Sequence, residues 1–509
     1  MFAKTYGSTT LGVNGVLIDV EVDVSRGLPR FDIVGLPDAA VKEAKERVRT
    51  AIKNSGIRLQ QGKITINLVP ADIKKDSSGL DLAMAVGLLS AQGAILAANC
   101  QKSLFAAELS LEGELRPIQG ILPMAVNCRL CGMERLFVAK QNVREALLVD
   151  GLEVYAAENI AELTAFLSGQ ESLSPEKSAP EPLVESYGGE NDFSDVQGQF
   201  FAKRALEIAA AGGHNVLMIG APGAGKTMLA RRVSSILPAM SRQEALEVTK
   251  IYSIAGLLGR NAGLITSRPF RSPHHTISSA GMIGGGTIPK PGEVTLSHNG
   301  VLFLDELPEF GKSTLEVLRQ PLEDAEVCIS RVHASLSFPA QLMLIASMNP
   351  CPCGFQGDAS HDCTCSPSEI KRYTKKISGP LLDRIDIHIQ VPRVEYKDLA
   401  EPVPAESSAV IRARVEAARG LQTERLAKYK IFSNAQMHHA QLKKLCPLSA
   451  AAQTLLKQVF EKLSLSARSY DRVIKVARTI ADLEQENTIN DRHIAEAIQL
   501  RGDIGLHGQ

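Results

Sequence analysis

The sequence contains no tryptophan, few other aromatic residues and no excess of either charge. Aromatic residues make up 5% of its 509 positions, and Lys+Arg and Asp+Glu number 56 each. Because the charges balance, contact with nucleic acid requires a local basic surface. No run of about 18 uncharged apolar residues is present, which argues against a membrane-spanning helix. No signal-peptide pattern is present either, so we expect a cytoplasmic protein without membrane contact.

Disulfide bonds are a second feature that the sequence argues against. Nine cysteines is an odd number, and thiols in the cytoplasm stay reduced. The length also exceeds what one hydrophobic core supports, so about three domains are expected.

Composition and periodicity divide the chain into four parts. Residues 1–168 alternate β-rich and helical runs, which predicts an α/β domain. Residues 169–192 are rich in Ser, Pro, Glu and Gly and predict a linker. A second α/β block covers residues 193–392, and residues 393–509 show helical periodicity with few strand signals. The predicted fold class is α/β: an N-terminal α/β domain, an α/β core with a parallel sheet and an all-helical C-terminal lid.

One glycine-rich turn carries the strongest functional signal. An apolar strand precedes it and a helical pattern follows. Glycines let backbone N–H groups face phosphates, the lysine reaches the β- and γ-phosphate oxygens, and the hydroxyl binds Mg²⁺. ATP and Mg²⁺ are therefore the predicted ligands. The pattern G-x-x-x-x-G-K-[ST] is formed by Gly220, Ala221, Pro222, Gly223, Ala224, Gly225, Lys226 and Thr227.

Two later apolar strands end on polar residues that suit the same site. "GVLFLDELPEF" ends its apolar run at Asp305 and Glu306. We expect Asp305 to hold Mg²⁺ and Glu306 to act as the base that activates water. "QLMLIASMN" ends on Asn349, which is positioned to sense the γ-phosphate; the alternative is a turn-forming Asn before Pro350.

The order of these motifs resembles AAA+ ATPases. "DVQGQ" looks like the adenine-side box of that superfamily, and "SGPLLDRIDI" looks like its arginine-finger segment. The resemblance implies that Arg384 acts on the ATP of a neighbouring subunit, where a cation stabilises the charge of the transferred phosphoryl group. "SARSYDRVIKVARTIADL" resembles the second sensor of the lid, with Arg468 the best match. The alternatives are an ion pair of Arg384 with Asp383 or Asp386 and a solvated Arg468.

The resemblance extends along the whole chain. "RFDIVGLPDAAVKEAKERVRTAIKNSGI", "NLVPADIKKDSSGLDLAMAVGLL", "PGEVTLSHNGVLFLDELPEF" and "MNPCPCG" resemble the magnesium-chelatase-like ComM/YifB family. This resemblance implies a homo-hexameric, ATP-driven helicase on single-stranded or branched DNA, without sequence preference. It also implies branch migration during homologous recombination and natural transformation, with a recombinase or loading protein as a further partner.

Two rival functions stand beside the DNA motor. "VPADIKKDSSGLDLAMAVGLLSA" and "GELRPIQGILPMA" are similar to the Lon protease domain, which cleaves with a Ser–Lys dyad. The two dyad positions fall on Gly79 and Met124, which carry no nucleophile and no base, and Ser77 and Ser78 do not fit the register. We therefore expect a Lon-like domain without the catalytic dyad, and a protease is the weakest candidate. A magnesium-chelatase motor with a porphyrin-binding partner is the other rival.

Two segments could supply cations to DNA inside a ring. The first, "RPFRSPHHTISSAGMIGGGTIPKPGE", contains Arg268, Arg271, His274, His275 and Lys290. The second, "EVCISRVHASLSFPA", reads as a β-hairpin with Arg331 and His333 near its tip. Phosphate contacts from such loops bind DNA without reading its sequence. The DNA-binding candidates are Arg331, His333, Lys290 and Arg271; the alternative is that Arg268 and Arg271 pair with nearby acidic residues and that the histidines are structural.

Four cysteines follow Asn349 within fifteen positions. They form two C-x-C pairs, and four thiolates suit a closed tetrahedral zinc site. His361 could replace one ligand, and reduced buried thiols are the alternative to a structural Zn²⁺. The candidate ligands are Cys351, Cys353, Cys363 and Cys365.

Overall fold

The fold was analysed in a computed structural model of the full chain. It describes residues 1–60, 62–75, 78–177, 192–259, 263–286, 289–331, 334–358, 361–393, 405–462 and 466–501. Ser77 and His333, both named above, lie outside these ranges, and the side chain of Arg331 is not described.

The chain divides into two compact units. The first contains Met1–Leu183 and Ala245–Thr266, and the second contains Val184–Glu244 and Ser267–Gln509. Residues 245–266 therefore fold with the N-terminal part of the chain, although they fall within the range predicted for the ATPase core. The boundaries at residues 168, 192 and 392 stay predictions.

The first unit is built on a mixed sheet. Its described strands are β1 (Phe2–Leu11), β2 (Asn14–Ser25), β3 (Arg30–Val34), β4 (Lys63–Val69), β5 (Ser103–Ala106), β6 (Glu108–Leu109), β7 (Leu115–Arg116), β8 (Arg135–Ala139) and β9 (Glu153–Ala157). The main sheet has the order β3-β4-β2-β1-β5-β8-β9. β1 and β2 form an antiparallel hairpin, and every second residue from Ile18 to Val24 is buried, as expected for one face of a sheet against a core.

Helices cover this sheet. The most deeply buried of them, "DLAMAVGLLSA", is apolar on nearly all sides after its first residue, which is the pattern of a helix inside a core. The described helices of this part are α1 (Ala39–Asn54), α2 (Asp81–Ala91), α3 (Ile121–Leu130), α4 (Val143–Ala146) and α5 (Ile160–Leu167).

The second unit is built on a parallel sheet. Its described strands are β10 (Val216–Ile219), β11 (Phe270–Arg271), β12 (Gly284–Gly285), β13 (Lys290–Pro291), β14 (Val301–Leu304), β15 (Glu326–Arg331), β16 (Ala334–Pro339), β17 (Met343–Met348) and β18 (Ile387–Gln390). The order β11-β14-β17-β10-β18 is parallel throughout. β10, β14 and β17 are buried along their full lengths, which explains why their sequences are continuous apolar runs.

Helices pack around and beyond this sheet. Between residues 192 and 394 the described ones are α6 (Phe200–Gly212), α7 (Lys226–Arg232), α9 (Ser279–Ile283), α10 (Glu293–Leu296), α11 (Lys312–Glu316), α12 (Pro321–Asp324), α13 (Pro367–Thr374) and α14 (Gly379–Leu382). One further helix, α8 (Arg242–Ala255), begins in this unit, but its residues from Ala245 onward belong to the first unit. From residue 405 to 501 the described chain contains α15 (Ser408–Leu426), α16 (His439–Leu445), α17 (Ala450–Lys462), α18 (Ala467–Leu483) and α19 (Asp491–Gln499) and no strand. The predicted fold class, α/β with a parallel core sheet and a helical C-terminal part, is confirmed. No helix in the described ranges is long and apolar enough to cross a membrane.

A buried carboxylate joins the sheet to the C-terminal helices. Asp386, just before β18, accepts a hydrogen bond from the backbone N–H of Asn215 at 3.2 Å. His214 Nδ1 lies 3.4 Å from one carboxylate oxygen, and Arg472 Nε of α18 lies 3.5 Å from the other. Burial alone would raise the pKa of Asp386, but the adjacent His214 ring and the charge of Arg472 hold it well below its ordinary value. The ionised carboxylate therefore stabilises the second unit.

The variant Asp386→Asn is expected to lower the free energy of unfolding by about 3 kcal/mol at neutral pH, because it leaves the mostly buried guanidinium of Arg472 without its anion. Since the pKa is depressed in the folded state, the wild-type advantage is present above a pH of about 4 and is lost as the pH falls further. Urea unfolding of both proteins at several pH values measures this difference in the free energy of unfolding. Asp383→Asn, at a position without an ion pair among the described residues, is the control; an equal loss in both variants would contradict the assignment.

Candidate nucleotide-binding site

The glycine-rich loop connects β10 to α7, and two of its glycines show why a side chain is disfavoured there. Gly225 has φ +86°, in the left-handed region that side chains disfavour. A Cβ on Gly220 would lie 2.3 Å from the carbonyl oxygen of Val391. The spacing of the motif therefore reflects both the turn and the close passage of a neighbouring chain segment.

Lys226 is buried with its ammonium group inside this loop. Its Nζ donates to the carbonyls of Gly220 at 2.7 Å and Ala221 at 3.0 Å, and to Asn349 Oδ1 at 3.2 Å. Burial lowers the pKa of Lys226, and the charges of Asp305 and Glu306 act in the opposite direction. A partly desolvated cation beside exposed loop N–H groups is the arrangement that binds phosphate oxygens.

Asp305 follows β14 and is held from two sides. Thr227 Oγ1 donates to Asp305 Oδ2 at 2.8 Å, and Ser347 Oγ donates to Oδ1. Adjacent ligands of an octahedral Mg²⁺ stand roughly 2.9 Å apart, since Mg–O bonds are about 2.05 Å. The hydroxyl and carboxylate oxygens thus fit the hard-oxygen donor set that Mg²⁺ prefers.

Ser347 is a site residue that the sequence did not single out. It lies in β17 and is 1% exposed, and its hydroxyl orients the metal-side carboxylate. No motif marks it. The one available signal is a hydroxyl inside the otherwise apolar run "MLIASM".

Glu306 and Asn349 complete the cluster. Glu306 adopts φ +54°, uncommon for a residue with a side chain, and its carboxylate is 60% exposed, 3.8 Å from His275 Nδ1. An unusual backbone conformation at this point aims the carboxylate away from the strand and toward solvent. Asn349 follows β17 and contacts Lys226 directly. The structure therefore brings the predicted phosphate, metal and sensor residues to one edge of the sheet.

The predicted adenine-side segment also contacts the loop. Gln199 Nε2 donates to the carbonyl of Ala224 at 3.4 Å and to that of Pro392 at 2.5 Å. Gln199 thereby ties the start of α6 to the glycine-rich loop and to the segment after β18.

Arg384 lies at the opposite edge of the sheet from the glycine-rich loop. Its carbonyl accepts a hydrogen bond from Asn215 Nδ2 at 2.9 Å, beside the amino end of β10. The two edges are the amino and carboxyl ends of the parallel strands, and the four residues of β10 between them span about 13 Å. Arg384 therefore does not belong to the nucleotide site formed by its own chain.

The side chain of Arg384 is 11% exposed and pairs with Glu323, not with Asp383 or Asp386. Its Nη1 donates to the carbonyl of Pro380 at 2.8 Å. Arg468 is 62% exposed, and its Nη2 lies 3.9 Å from the same glutamate. The structure thus groups the two arginines with each other and not with Lys226.

The four cysteines after Asn349 form one compact cluster. Cys351 Sγ lies 3.3 Å from that of Cys353 and 3.7 Å from that of Cys363, and the four sulfur atoms lie within 4.8 Å of one another. Tetrahedral Zn–S bonds of about 2.3 Å place sulfurs roughly 3.8 Å apart, so the donor set fits Zn²⁺. A hydrogen bond from the Phe355 backbone is the main cause that lowers the pKa of Cys353 to about 6.

Histidine is not part of this cluster. His361 stacks on Phe355 with ring centroids 4.9 Å apart, and its Nδ1 lies 3.2 Å from Arg393 Nη1. The cysteine loop also packs against the phosphate-binding loop, because a Cβ on Gly354 would lie 2.6 Å from Pro222 Cδ. The loop that carries the sulfurs is therefore a support for the nucleotide site.

A second group of potential metal ligands does not fit a metal. Glu484, Glu486 and His493 place ligand atoms within 4.8 Å. His493 Nδ1 accepts from the backbone N–H of Asn490 at 3.0 Å, and Nε2 faces Glu484 at 3.1 Å. Arg492 pairs with both carboxylates. These residues form an ion-pair network.

The cations predicted to contact DNA have different surroundings. Arg271 donates two hydrogen bonds to the carboxylate of Glu293, at 2.6 and 2.8 Å, and Arg268 donates one to Glu244 at 3.0 Å. Pairing with nearby acidic residues is the alternative that the sequence left open for both arginines. Lys290 is exposed in β13. Arg331 ends β15, and the DNA role of these residues stays a prediction.

The two dyad positions of the Lon-like pattern are buried in the first unit. Gly79 and Met124 are both buried. Ser78 hydroxyl donates to Glu108, and Lys75 Nζ donates to the carbonyls of Gly35 and Pro70. The nearby serine and lysine therefore bond to other groups and do not form a pair with each other.

Comparison with known proteins agrees with this site. Three family models match: magnesium chelatase, subunit ChlI, over residues 192–399; subunit ChlI of Mg-chelatase over 20–142; and the ChlI C-terminal model over 405–501. Competence protein ComM of Haemophilus influenzae is 42% identical over 507 residues, 99% of this chain and 98% of that protein. YifB of Escherichia coli K12 is 43% identical over 497 residues, 96% and 95% of the two chains. Lon protease 2 of Bacillus subtilis is 31% identical over 164 residues, 31% of this chain and 30% of that protein.

The parallel sheet, the glycine-rich loop and the acidic strand end define a P-loop protein of the AAA+ class. Within that class, full-length similarity shows that the chain belongs to the magnesium-chelatase-like ComM/YifB family. The family expected from the sequence motifs is confirmed.

The variant Ser347→Ala tests the support of the metal-side carboxylate. We expect the Mg²⁺ concentration for half-maximal ATP hydrolysis to rise about tenfold, because Asp305 loses the donor that orients it. Titration of Mg²⁺ at saturating ATP measures the effect. Ser297→Ala is the control, since that hydroxyl donates to the helix carbonyl of Glu293; an unchanged Mg²⁺ requirement in Ser347→Ala would refute the role.

Proposed function

We propose that the protein is an ATP-driven, homo-hexameric DNA motor that promotes branch migration during homologous recombination and natural transformation. The observation that carries the proposal is the convergence of Lys226, Thr227, Asp305 and Asn349 at one sheet edge. Full-length similarity to a competence protein supports the biological setting. We also propose a cytoplasmic location without membrane contact.

Each residue of the site has a separate role in ATP hydrolysis. Lys226 and the loop from Gly220 to Gly225 bind the phosphates, while Thr227 and Asp305 would hold Mg²⁺. The bound metal would offset the charge of the β- and γ-phosphate oxygens. Glu306 accepts a proton from the attacking water, and Asn349 orients that water against the γ-phosphate.

A neighbouring subunit supplies the remaining charge. Arg384 stands about 13 Å from the loop edge of its own sheet, so it can act only on the nucleotide of another copy. Arg468 lies beside it and would contribute from the same surface. This arrangement favours a closed ring, because each site is incomplete without the next subunit.

DNA contact is assigned to the loops between the strands that carry the ATP site. Arg331 ends β15, His333 follows it two positions later in the sequence, and Lys290 is exposed in β13. Cations on such loops would bind phosphates of single-stranded or branched DNA without sequence preference and with strong salt dependence. Arg271 would contribute if its pair with Glu293 opens. The Lon-like part would serve assembly or DNA binding, with a recombinase or loading protein as a further partner.

A magnesium-chelatase motor is the second candidate. Matches to models of chelatase subunit ChlI favour it, since they cover the ATPase region. The two functions differ in what stimulates ATP hydrolysis. Branched or single-stranded DNA would do so for the DNA motor, and a porphyrin-binding partner for the chelatase.

Structural zinc is proposed at the cysteine cluster. The four sulfurs have the spacing that a Zn²⁺ ion requires, and four protein ligands leave no open position for catalysis. Through Gly354, which packs on Pro222, the metal would hold the phosphate-binding loop in place.

A four-way junction assay tests the proposed motor. Wild-type protein is expected to move the branch point only with ATP, Lys226→Ala to lose ATP binding, and Glu306→Gln to bind ATP with hydrolysis reduced at least about 100-fold. Glu309→Gln is the matched control, because this exposed carboxylate pairs with Lys376. Wild-type hydrolysis in Glu306→Gln would refute the base assignment, and no ATP-dependent movement on any branched DNA would refute the motor.

Metal analysis tests the zinc proposal. We expect about one Zn²⁺ per chain by mass spectrometry, and loss of that metal in Cys363→Ser with a lower thermal midpoint. Cys328→Ser, which removes an exposed cysteine outside the cluster, should keep its zinc. A metal-free wild-type protein with full ATPase activity would contradict the zinc proposal and favour the alternative, four reduced thiols without a metal.

A further inference from the structure

The arginine proposed to act on a neighbouring ATP belongs to a cluster of cations. Burial is the main cause that lowers the pKa of the Arg384 guanidinium, and the positive charges of Arg319, Arg468 and Arg472 lower it further. Four guanidinium groups in one place repel each other unless carboxylates stand between them. The positions of the nearby carboxylates therefore determine the position of the Arg384 side chain.

Each outer arginine of the cluster has its own carboxylate. Arg319 pairs with Glu316 at 2.8 Å, and Arg472 pairs with Asp386 at 3.5 Å. Arg384 and Arg468 share the remaining one, with Glu323 Oε2 contacting Arg384 Nη2 and Oε1 lying 3.9 Å from Arg468 Nη2. This central pair thus has two positive charges and one negative charge.

Arg384 also has unused hydrogen-bonding capacity. Its buried Nε has no hydrogen-bond partner among the described residues, while Nη1 bonds to a carbonyl. An under-neutralised arginine with a free donor suits a phosphoryl oxygen better than one carboxylate. Glu323 therefore engages the guanidinium group that a phosphoryl oxygen would otherwise bind.

Glu323 is joined to the β15–β16 hairpin. It lies in α12, whose C-cap residue is Ala325 with φ +56°, and β15 begins at the residue after Ala325. The backbone N–H of Ala340 donates to the carbonyl of Ala325 at 2.8 Å and closes the base of the hairpin. Val327 and Phe338 are buried at that base. Only Asp324 and Ala325 separate Glu323 from the first residue of β15, so a movement of the hairpin would also move Glu323.

We propose that Glu323 is a positioning residue that restrains Arg384 within its own subunit until DNA engages the β15–β16 hairpin. The proposal rests on the proposed function of a DNA-dependent ATPase with Arg384 acting on a neighbour. DNA contact moves α12 with the hairpin, Glu323 leaves Arg384, and the freed guanidinium turns to the γ-phosphate of the adjacent copy. DNA binding and hydrolysis are coupled through this one carboxylate.

Steady-state ATP hydrolysis with and without four-way junction DNA tests the restraint. In Glu323→Gln we expect kcat without DNA to rise roughly threefold to fivefold, the scale of one partly exposed ion pair. The DNA-stimulated kcat should stay at the wild-type value, so the stimulation ratio falls, and KM for ATP should not change because the phosphate-binding loop is untouched. Asp324→Asn, an exposed carboxylate on the same helix without an ion pair among the described residues, should behave as wild type.

The outcomes separate this proposal from the proposed function. A wild-type stimulation ratio in Glu323→Gln, or an equal fall of both rates, would overturn the restraint. If DNA fails to stimulate even the wild-type protein, the proposed function is overturned. In that case, a rise of the DNA-free kcat in Glu323→Gln but not in Asp324→Asn still supports the restraint of Arg384. If the DNA-free kcat does not rise in Glu323→Gln, the restraint is overturned as well.

Discussion

The order of the parallel strands is the constraint on which the site depends. With β17 between β14 and β10, the carboxyl ends of all three strands meet at one edge of the sheet. The phosphate-binding loop, Asp305 and Asn349 follow those strands, so residues far apart in sequence come within hydrogen-bond distance. The same parallel arrangement places Arg384, which precedes β18, at the other edge. Under the proposed function, one chain therefore carries both parts of a hydrolysis site but cannot bring them together by itself.

Supporting contacts surround this edge. Ser347 fixes the carboxylate that would face the metal, the cysteine loop packs on Pro222, and Gln199 ties α6 to the loop. At the amino edge, Asp386 connects β10 and β18 to the C-terminal helices through His214 and Arg472. The lid helices and the sheet share one apolar core.

The sequence was sufficient for the fold class and for the residues that follow buried strands. A glycine-lysine-threonine turn between an apolar strand and a helix leaves few alternatives, and the strand endings at Asp305 and Asn349 converge because parallel strands require it. Long-range contacts made by side chains outside these motifs were not predictable. Ser347 has no motif, and the sharing of Glu323 by two arginines depends on how α12 packs. Pairs such as Arg271 with Glu293 show that a basic residue in a loop can be occupied internally.

The central claim is that ATP hydrolysis needs Arg384 from an adjacent copy. A mixing experiment tests it most directly: Lys226→Ala lacks a working nucleotide site but keeps Arg384, and Arg384→Ala keeps the site but lacks the arginine. Each variant alone should be inactive, and mixed rings should regain ATP hydrolysis at interfaces that join an intact site to an intact arginine. A mixture no more active than the sum of its two components would contradict the account.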